Sequence, residues 1–248
     1  MTEKVGGEPS APTGGGQADS TTAWQIVPIV ECGEPLQRVA SENRLFAAPI
    51  YRSLGYDGSL DAVYLRAGVT ERLRLAARSL PTGLALVVWD GWRPVELQAR
   101  LYDDYRAMIM RDSSLRGREL EERVGKFVSV PSTDPTRPSP HLTGGAVDVT
   151  LSDDRGDPLE MGSEFDELTD RSHMDYYEDG RGEEELAVRD RRRRLLTVMS
   201  GAGFTNFPSE WWHFDYGNQF WAHQTGSIAI YGKTAPAEAA REPEATRR

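Results

Sequence analysis

Residues 139–151 read SPHLTGGAVDVTL, and the second half of that stretch decides the fold. From Ala146 onward Val147, Val149 and Leu151 point one way and Ala146, Asp148 and Thr150 the other, which is the period of a β-strand. Asp148 therefore stands on the less apolar face. His141 lies seven positions upstream, across Gly144 and Gly145. A histidine leading into a strand that carries an aspartate has the makings of half a metal site.

Working outward, VTERLRLAARSL (69–80) places Leu73, Ala76, Ala77 and Leu80 at helical spacing, and Pro81-Thr82-Gly83 stops it. LALVVWD (84–90) reads as a buried strand. Pro94 suits the first turn of a helix running to about Met110, with Leu97, Leu101, Tyr105 and Met108 as its apolar stripe. Asp90-Gly91-Trp92-Arg93 thus falls at a strand-to-helix turn, where side chains can face a cleft. EEELAVRDRRRRLLTVMS (183–200) reads as a helix, acidic first and basic later, ended by Gly201 and Gly203. Its RDRRRR run is expected to be a solvated face paired with the preceding glutamates rather than a nucleic-acid contact. A short strand is expected within WWHFDY (211–216). Without a regular βαβ rhythm, the order predicts an α+β domain: a mainly antiparallel sheet flanked by helices, with the metal site in a cleft on the sheet.

Acidic residues outnumber basic ones, 39 to 29, for a net charge of −10, which argues against a nucleic-acid partner. No stretch approaches the length of a membrane span, so no membrane partner is expected either. The opening MTEKVGGEPSAPTGGGQADSTT lacks the apolar core of an export signal, and the lone Cys32 excludes an internal disulfide; together these point to the cytoplasm. Cys32 itself is expected as a small buried hydrophobe. Residues 1–22, rich in Gly, Pro, Ser and Thr, and 233–248, rich in Ala, Pro and charge, are expected as disordered tails around one folded domain, 23–232.

The chain has four histidines, His141, His173, His213 and His223. His213 lies in PSEWWHFDYG (208–217), three residues after Glu210. On a straight strand the two would face apart, and a bend at Pro208-Ser209 lets both turn into one cleft. Two neutral imidazoles and a carboxylate are a common set for catalytic zinc, with the fourth position open. His141, Asp148 and His213 supply that set, for one Zn2+ per chain. Glu210 is the candidate base, and Arg93 is the permanently charged donor for an oxyanion. Singly, each residue has a blander reading as a loop, edge or salt-bridging group. Their joint occurrence in a histidine-poor chain describes metal-assisted amide hydrolysis.

Ser139-x-His141-x-x-Gly144-x-Ala146-x-Asp148, then Glu210-Trp211-Trp212-His213, with Trp89-Asp90-Gly91-Trp92-Arg93-Pro94 upstream, resembles the zinc D-alanyl-D-alanine dipeptidases of the vancomycin-resistance type over about residues 25 to 222. The resemblance implies that His141, Asp148 and His213 hold zinc, that Glu210 is the base and that Arg93 stabilises the oxyanion. It extends to MGSEFDELTDRSH (161–173), and implies that Asp166 receives the ammonium of a small dipeptide and that Ser139 contacts the dipeptide. His173 and His223 are read as structural. The family's substrate-holding tyrosine near the start has no clear counterpart: RVASENRLFAAPIY (38–51) puts Val39 or a neighbour at that place, with Tyr51 as the possible stand-in.

Three other readings compete with the dipeptidase. A D,D-carboxypeptidase on cell-wall peptides keeps the chemistry and changes the substrate. A non-haem iron(II) oxygenase uses the same donor types, but usually with its carboxylate two residues after the first histidine. A zinc domain that only binds a ligand would have little reason to hold both Glu210 and Arg93.

Overall fold

The computed structural model describes residues 23–125 and 127–237. The tail expected over 1–22 lies outside these residues, as does 238–248 of the tail expected from 233. Within them the elements are β1 (Leu36–Arg38), β2 (Leu45–Ala47), α1 (Ile50–Ser53), β3 (Tyr64–Arg66), α2 (Ala67–Ser79), β4 (Leu84–Asp90), α3 (Val95–Asp112), α4 (Gly117–Val124), β5 (Ala146–Asp153), α5 (Glu183–Gly201), β6 (Thr205–Asn206), β7 (His213–Asp215) and α6 (Gln219–Thr225). Five strands form one sheet in the order β2-β4-β5-β7-β6; β1 and β3 form a separate antiparallel pair. Only the β2–β4 pairing in the larger sheet is parallel, so the fold is α+β with a mainly antiparallel sheet.

The alternation in AVDVTL sets the packing. Val147, Val149 and Leu151 join Leu86 and Val88 of β4 in a core with Val69, Leu73, Ala76 and Ala77 of α2 and Leu195, Val198 and Met199 of α5. Each fully buried Val, Leu or Met side chain among these contributes about 1.5–3 kcal/mol. The opposite face of β5 is buried as well, Asp148 being 1% exposed and Thr150 0%. Being less apolar, that face forms the floor of a cleft rather than a solvent face.

Register then aligns chemistry across the sheet. Asp148 pairs with His213 of β7 on one side and with Asp90 of β4 on the other. Directly opposed residues share a face, so the three side chains stand in a row. The β4–β5 ladder shifts between Val88 and Asp90, an irregularity of the kind that re-aims a side chain beside a site.

Several expectations change on contact with the fold. Cys32 is exposed, not buried; only its backbone N–H is tied in, to Ile230 O. Residues 233–237 are described, and Thr234 donates its N–H to Leu142 O and accepts from Trp92 Nε1. The RDRRRR run is not uniformly solvated, because Arg192 is 1% exposed. Its guanidinium donates to Met161 O at 2.8 Å, His173 O at 2.6 Å and Arg171 O at 2.9 Å, and lies over the rings of Tyr177 and Trp211. One cation thus stitches the whole 161–173 segment to α5. Arg193 pairs with Glu178, not with the glutamates at the helix start. Because Arg192→Ala strands three carbonyls, it is expected to cost about 3–5 kcal/mol in a denaturant titration. A loss under about 1 kcal/mol would contradict the stitching role.

Candidate metal centre

His141 sits in a single helical turn, Pro140–Thr143, just ahead of β5. Two glycines make the connection possible. Gly144 has φ +69, the left-handed region that glycine adopts without penalty, and a Cβ on Gly145 would lie 2.5 Å from Tyr216 O. The turn is fixed from the other side by Arg93, whose N–H donates to His141 O at 3.3 Å. His141 Nδ1 faces Gly91 O at 2.8 Å, so the ring donates there and turns Nε2 inward.

Three donor atoms converge on one point. His213 Nδ1 is 3.0 Å from Asp148 Oδ1 and 3.2 Å from His141 Nε2, and His141 Nε2 is 3.5 Å from Asp148 Oδ1. All three residues are buried, and among the described residues they form the one cluster of His, Cys, Asp or Glu able to hold a metal ion. Burial pushes the Asp148 carboxyl pKa up, but the charges and hydrogen bonds of the two rings outweigh it and hold the group far below the usual carboxylate range. His213 Nε2 turns away from the cluster toward Asp215 Oδ2, 3.2 Å distant. His173 lies elsewhere, with its ring packed on Phe127 at 6.3 Å, and His223 is on α6.

Glu210 and Arg93 flank the cluster. Glu210 belongs to the turn before β7 rather than to the strand, with its N–H on Phe207 O and its carbonyl accepting from Asn206 Nδ2 and His213 N. Strand alternation therefore does not separate it from His213: Glu210 Oε2 is 3.8 Å from His213 Nδ1. Burial, opposed by His213 and reinforced by the charges of Asp148 and Asp166, raises the Glu210 pKa to about 8. Arg93, 7% exposed, donates Nε to Asp90 Oδ2, Nη1 to Gln98 Oε1 and Nη2 to Tyr51 Oη, and its Nη2 lies 3.2 Å from Asp148 Oδ2.

Asp166 reaches the same cleft from a distant segment. Phe165 anchors its loop among Trp89, Trp212 and Tyr51, with ring centroids 5.1–5.6 Å apart. Asp166 itself adopts φ +57, a conformation uncommon outside glycine and concentrated at functional sites. Its Oδ2 accepts from Tyr51 Oη at 2.8 Å. Enclosure by the cleft walls and the charge of Asp148 push the Asp166 pKa to about 7 against the pull of Arg93. Asp166 is nevertheless exposed, so solvent moderates that rise. The cleft, about 240 Å³, is lined by Tyr51, Arg93, Asp166, Glu210 and the three donors.

Ser139 is not among the lining residues. It is 5% exposed, and its hydroxyl is spent on the 130–132 loop, donating to Val130 O and accepting from Ser132 N–H. Val39 is a core residue, 3% exposed, whereas Tyr51 stands at the Asp166 end of the cleft. Gln98 and Asp215 escaped the sequence reading, and Asp90 entered it only as part of the cleft-facing turn, without a role. Asp215 carried a legible signal, since it follows His213 by two on a strand and must share its face.

The chain is similar to known proteins. The profile of the D-Ala-D-Ala dipeptidase family, peptidase family M15, matches residues 63–230. A D-alanyl-D-alanine dipeptidase of Synechocystis is 37% identical over 236 residues, covering 85% of this chain and 96% of that protein. One from Enterococcus faecium is 30% identical over 138 residues, covering 53% of this chain and 62% of that protein. Among solved structures, VanYB in complex with D-alanine-D-alanine has a TM-score of 0.43 at 18% identity, covering 71% of this chain and 87% of that one. The sequence matches alone, spanning both β5 and the Glu210–His213 turn, are sufficient: the chain belongs to the D-Ala-D-Ala dipeptidase family of metallopeptidases.

Proposed function

We propose that this chain is a zinc-dependent D,D-dipeptidase that hydrolyses D-alanyl-D-alanine or a closely related dipeptide. The observation that carries the reading is the convergence of His141 Nε2, Asp148 Oδ1 and His213 Nδ1. Bonds of about 2.0–2.1 Å to a tetrahedral zinc separate the ligand atoms by about 3.3–3.4 Å, and these three stand 3.0–3.5 Å apart. The donors fit zinc in type as well as spacing. When bound, zinc supplies a Lewis acid that polarises the scissile carbonyl and acidifies water.

The remaining steps belong to the chain's own residues. Glu210 takes the proton of the attacking water and returns it to the leaving amine, a cycle that suits a carboxyl with a raised pKa. Arg93 stands ready to donate to the carbonyl oxygen as it gains negative charge. Asp166, held by Tyr51, receives the ammonium of the N-terminal residue. A substrate with that amine acylated would leave the carboxylate without its cation, which favours free dipeptides over cell-wall peptides.

Kinetics on D-Ala-D-Ala beside an N-acylated tripeptide ending in D-Ala-D-Ala test this reading. The free dipeptide is the expected substrate, and preference for the acylated peptide would establish the D,D-carboxypeptidase instead. Asp166→Asn keeps a residue type that tolerates positive φ, so it isolates the charge. It is expected to raise KM for the free dipeptide on the order of 10²-fold. Family membership gives the iron(II) oxygenase reading no support. No helix among the described residues is long and apolar enough to cross a membrane; a cytoplasmic location is part of this proposal, favoured by the lone cysteine.

Protein stripped of metal ions is expected to lose stability as pH rises from about 5 to 8. Glu210 and Asp166 have folded-state values raised to about 8 and about 7, and His213 is raised well above its usual value, by Asp215 and Asp148 against the cost of burial. In this window the folded state therefore binds more protons than the unfolded one, and stability falls with pH. Denaturant midpoints across that range check the sign, which a rising midpoint would reverse. Zinc must displace such protons, so its affinity should climb over the same range.

A further inference from the structure

We propose that Asp215 is a positioning residue for the metal centre, locking His213 in the tautomer that presents Nδ1 to the cation. This rests on the metal-centre reading above and extends it to a residue that neither binds the cation nor touches substrate.

The two histidines of the cluster are presented by opposite ring nitrogens. His141 turns Nε2 inward because its Nδ1–H is taken by Gly91 O at 2.8 Å. His213 turns Nδ1 inward, 3.0 Å from Asp148 Oδ1, and its outward Nε2 lies 3.2 Å from Asp215 Oδ2. A neutral imidazole has one donor and one acceptor nitrogen, and a carboxylate can only accept. A cation held between Nδ1 and Asp148 Oδ1 would need the Nδ1 lone pair, which leaves the ring's one proton on Nε2, donated to Asp215.

Asp215 is itself held rigidly. The two-residue period of β7 puts it on the face of His213, and it is 1% exposed. Its other oxygen accepts from Asn218 Nδ2 at 2.5 Å, while Asn218 Oδ1 caps α6 by accepting from Trp221 N–H at 3.0 Å. Both carboxylate oxygens are thus engaged, one on the ring and one on the helix cap.

Competition against a chromophoric chelator, with the full chain, measures the consequence. Asp215→Asn is expected to weaken zinc binding by about 10- to 100-fold. If the introduced amide gives its oxygen to His213, its NH2 opposes Asn218 Nδ2, donor against donor. The double variant Asp215→Asn with Asn218→Asp restores a donor–acceptor pair there, keeps an acceptor at the cap, and is expected to recover most of the lost affinity. A purely structural carboxylate would lower Tm but leave zinc affinity within about threefold of the parent, and that outcome overturns the proposal. A measurement needing no variant stands beside it: ¹⁵N–¹H correlation of ¹⁵N-histidine-labelled, zinc-loaded parent should show His213 protonated at Nε2. Protonation at Nδ1 refutes the assignment. Failure of the parent to bind zinc would instead remove the metal-centre reading itself.

Discussion

Replacing Glu210 with glutamine is expected to lower kcat on the dipeptide by about 10²- to 10⁴-fold while zinc content and fold are kept. The substitution preserves shape and removes only the capacity to take and return a proton. The surrounding turn does not depend on the carboxyl: Glu210 is tied through its backbone to Phe207 O and Asn206 Nδ2. Its Oε2 stands 3.8 Å from His213 Nδ1, near the donor cluster without belonging to the three converging groups. A pKa raised to about 8 by burial makes the group a willing proton carrier near neutral pH, and a divalent cation beside it lowers that value toward the point where it accepts and releases with equal ease. Steady-state kinetics with metal analysis of the same sample decide the matter. Turnover within about tenfold of the parent, at full zinc occupancy, would sink the base assignment.

The second large effect is expected at Arg93. Arg93→Lys keeps a positive charge, yet should cost about 10²- to 10³-fold in kcat with little change in KM, because the missing donor acts only once negative charge develops on the carbonyl oxygen. The parent side chain reaches Asp90, Gln98, Tyr51 and Asp148 at once. A single ammonium cannot replace that planar fork, and it carries a tighter hydration shell into the cleft. A rise in KM with kcat unchanged would instead make Arg93 a ground-state binding group.

Much of this was legible in the chain, and the reason is local. The alternation in AVDVTL, the apolar spacing in 69–80 and the stop at Pro81-Thr82-Gly83 follow from backbone geometry within a few residues, and β5, α2 and β4 formed where that geometry put them. The three donor residues were also readable, since few residue types serve zinc and the chain has four histidines to choose from. Sequence misjudged what depends on neighbours far along the chain. Arg192 looked like one of several solvated arginines, but only packing against 161–173 brings backbone carbonyls to it. Cys32 looked like a core residue and is exposed.

By itself, then, the sequence determined which segments become strands and helices and which side chains can do metal chemistry, because periodicity and donor type are properties of the covalent chain. Only the tertiary structure decided that His141 and His213, 72 positions apart, meet at 3.2 Å, that Asp90, Asp148 and His213 stand in one row, and that Tyr51 meets Asp166 across the cleft. Those placements arise from strand register and from the burial of facing side chains. Both are fixed by contacts between distant segments, which no local spacing encodes.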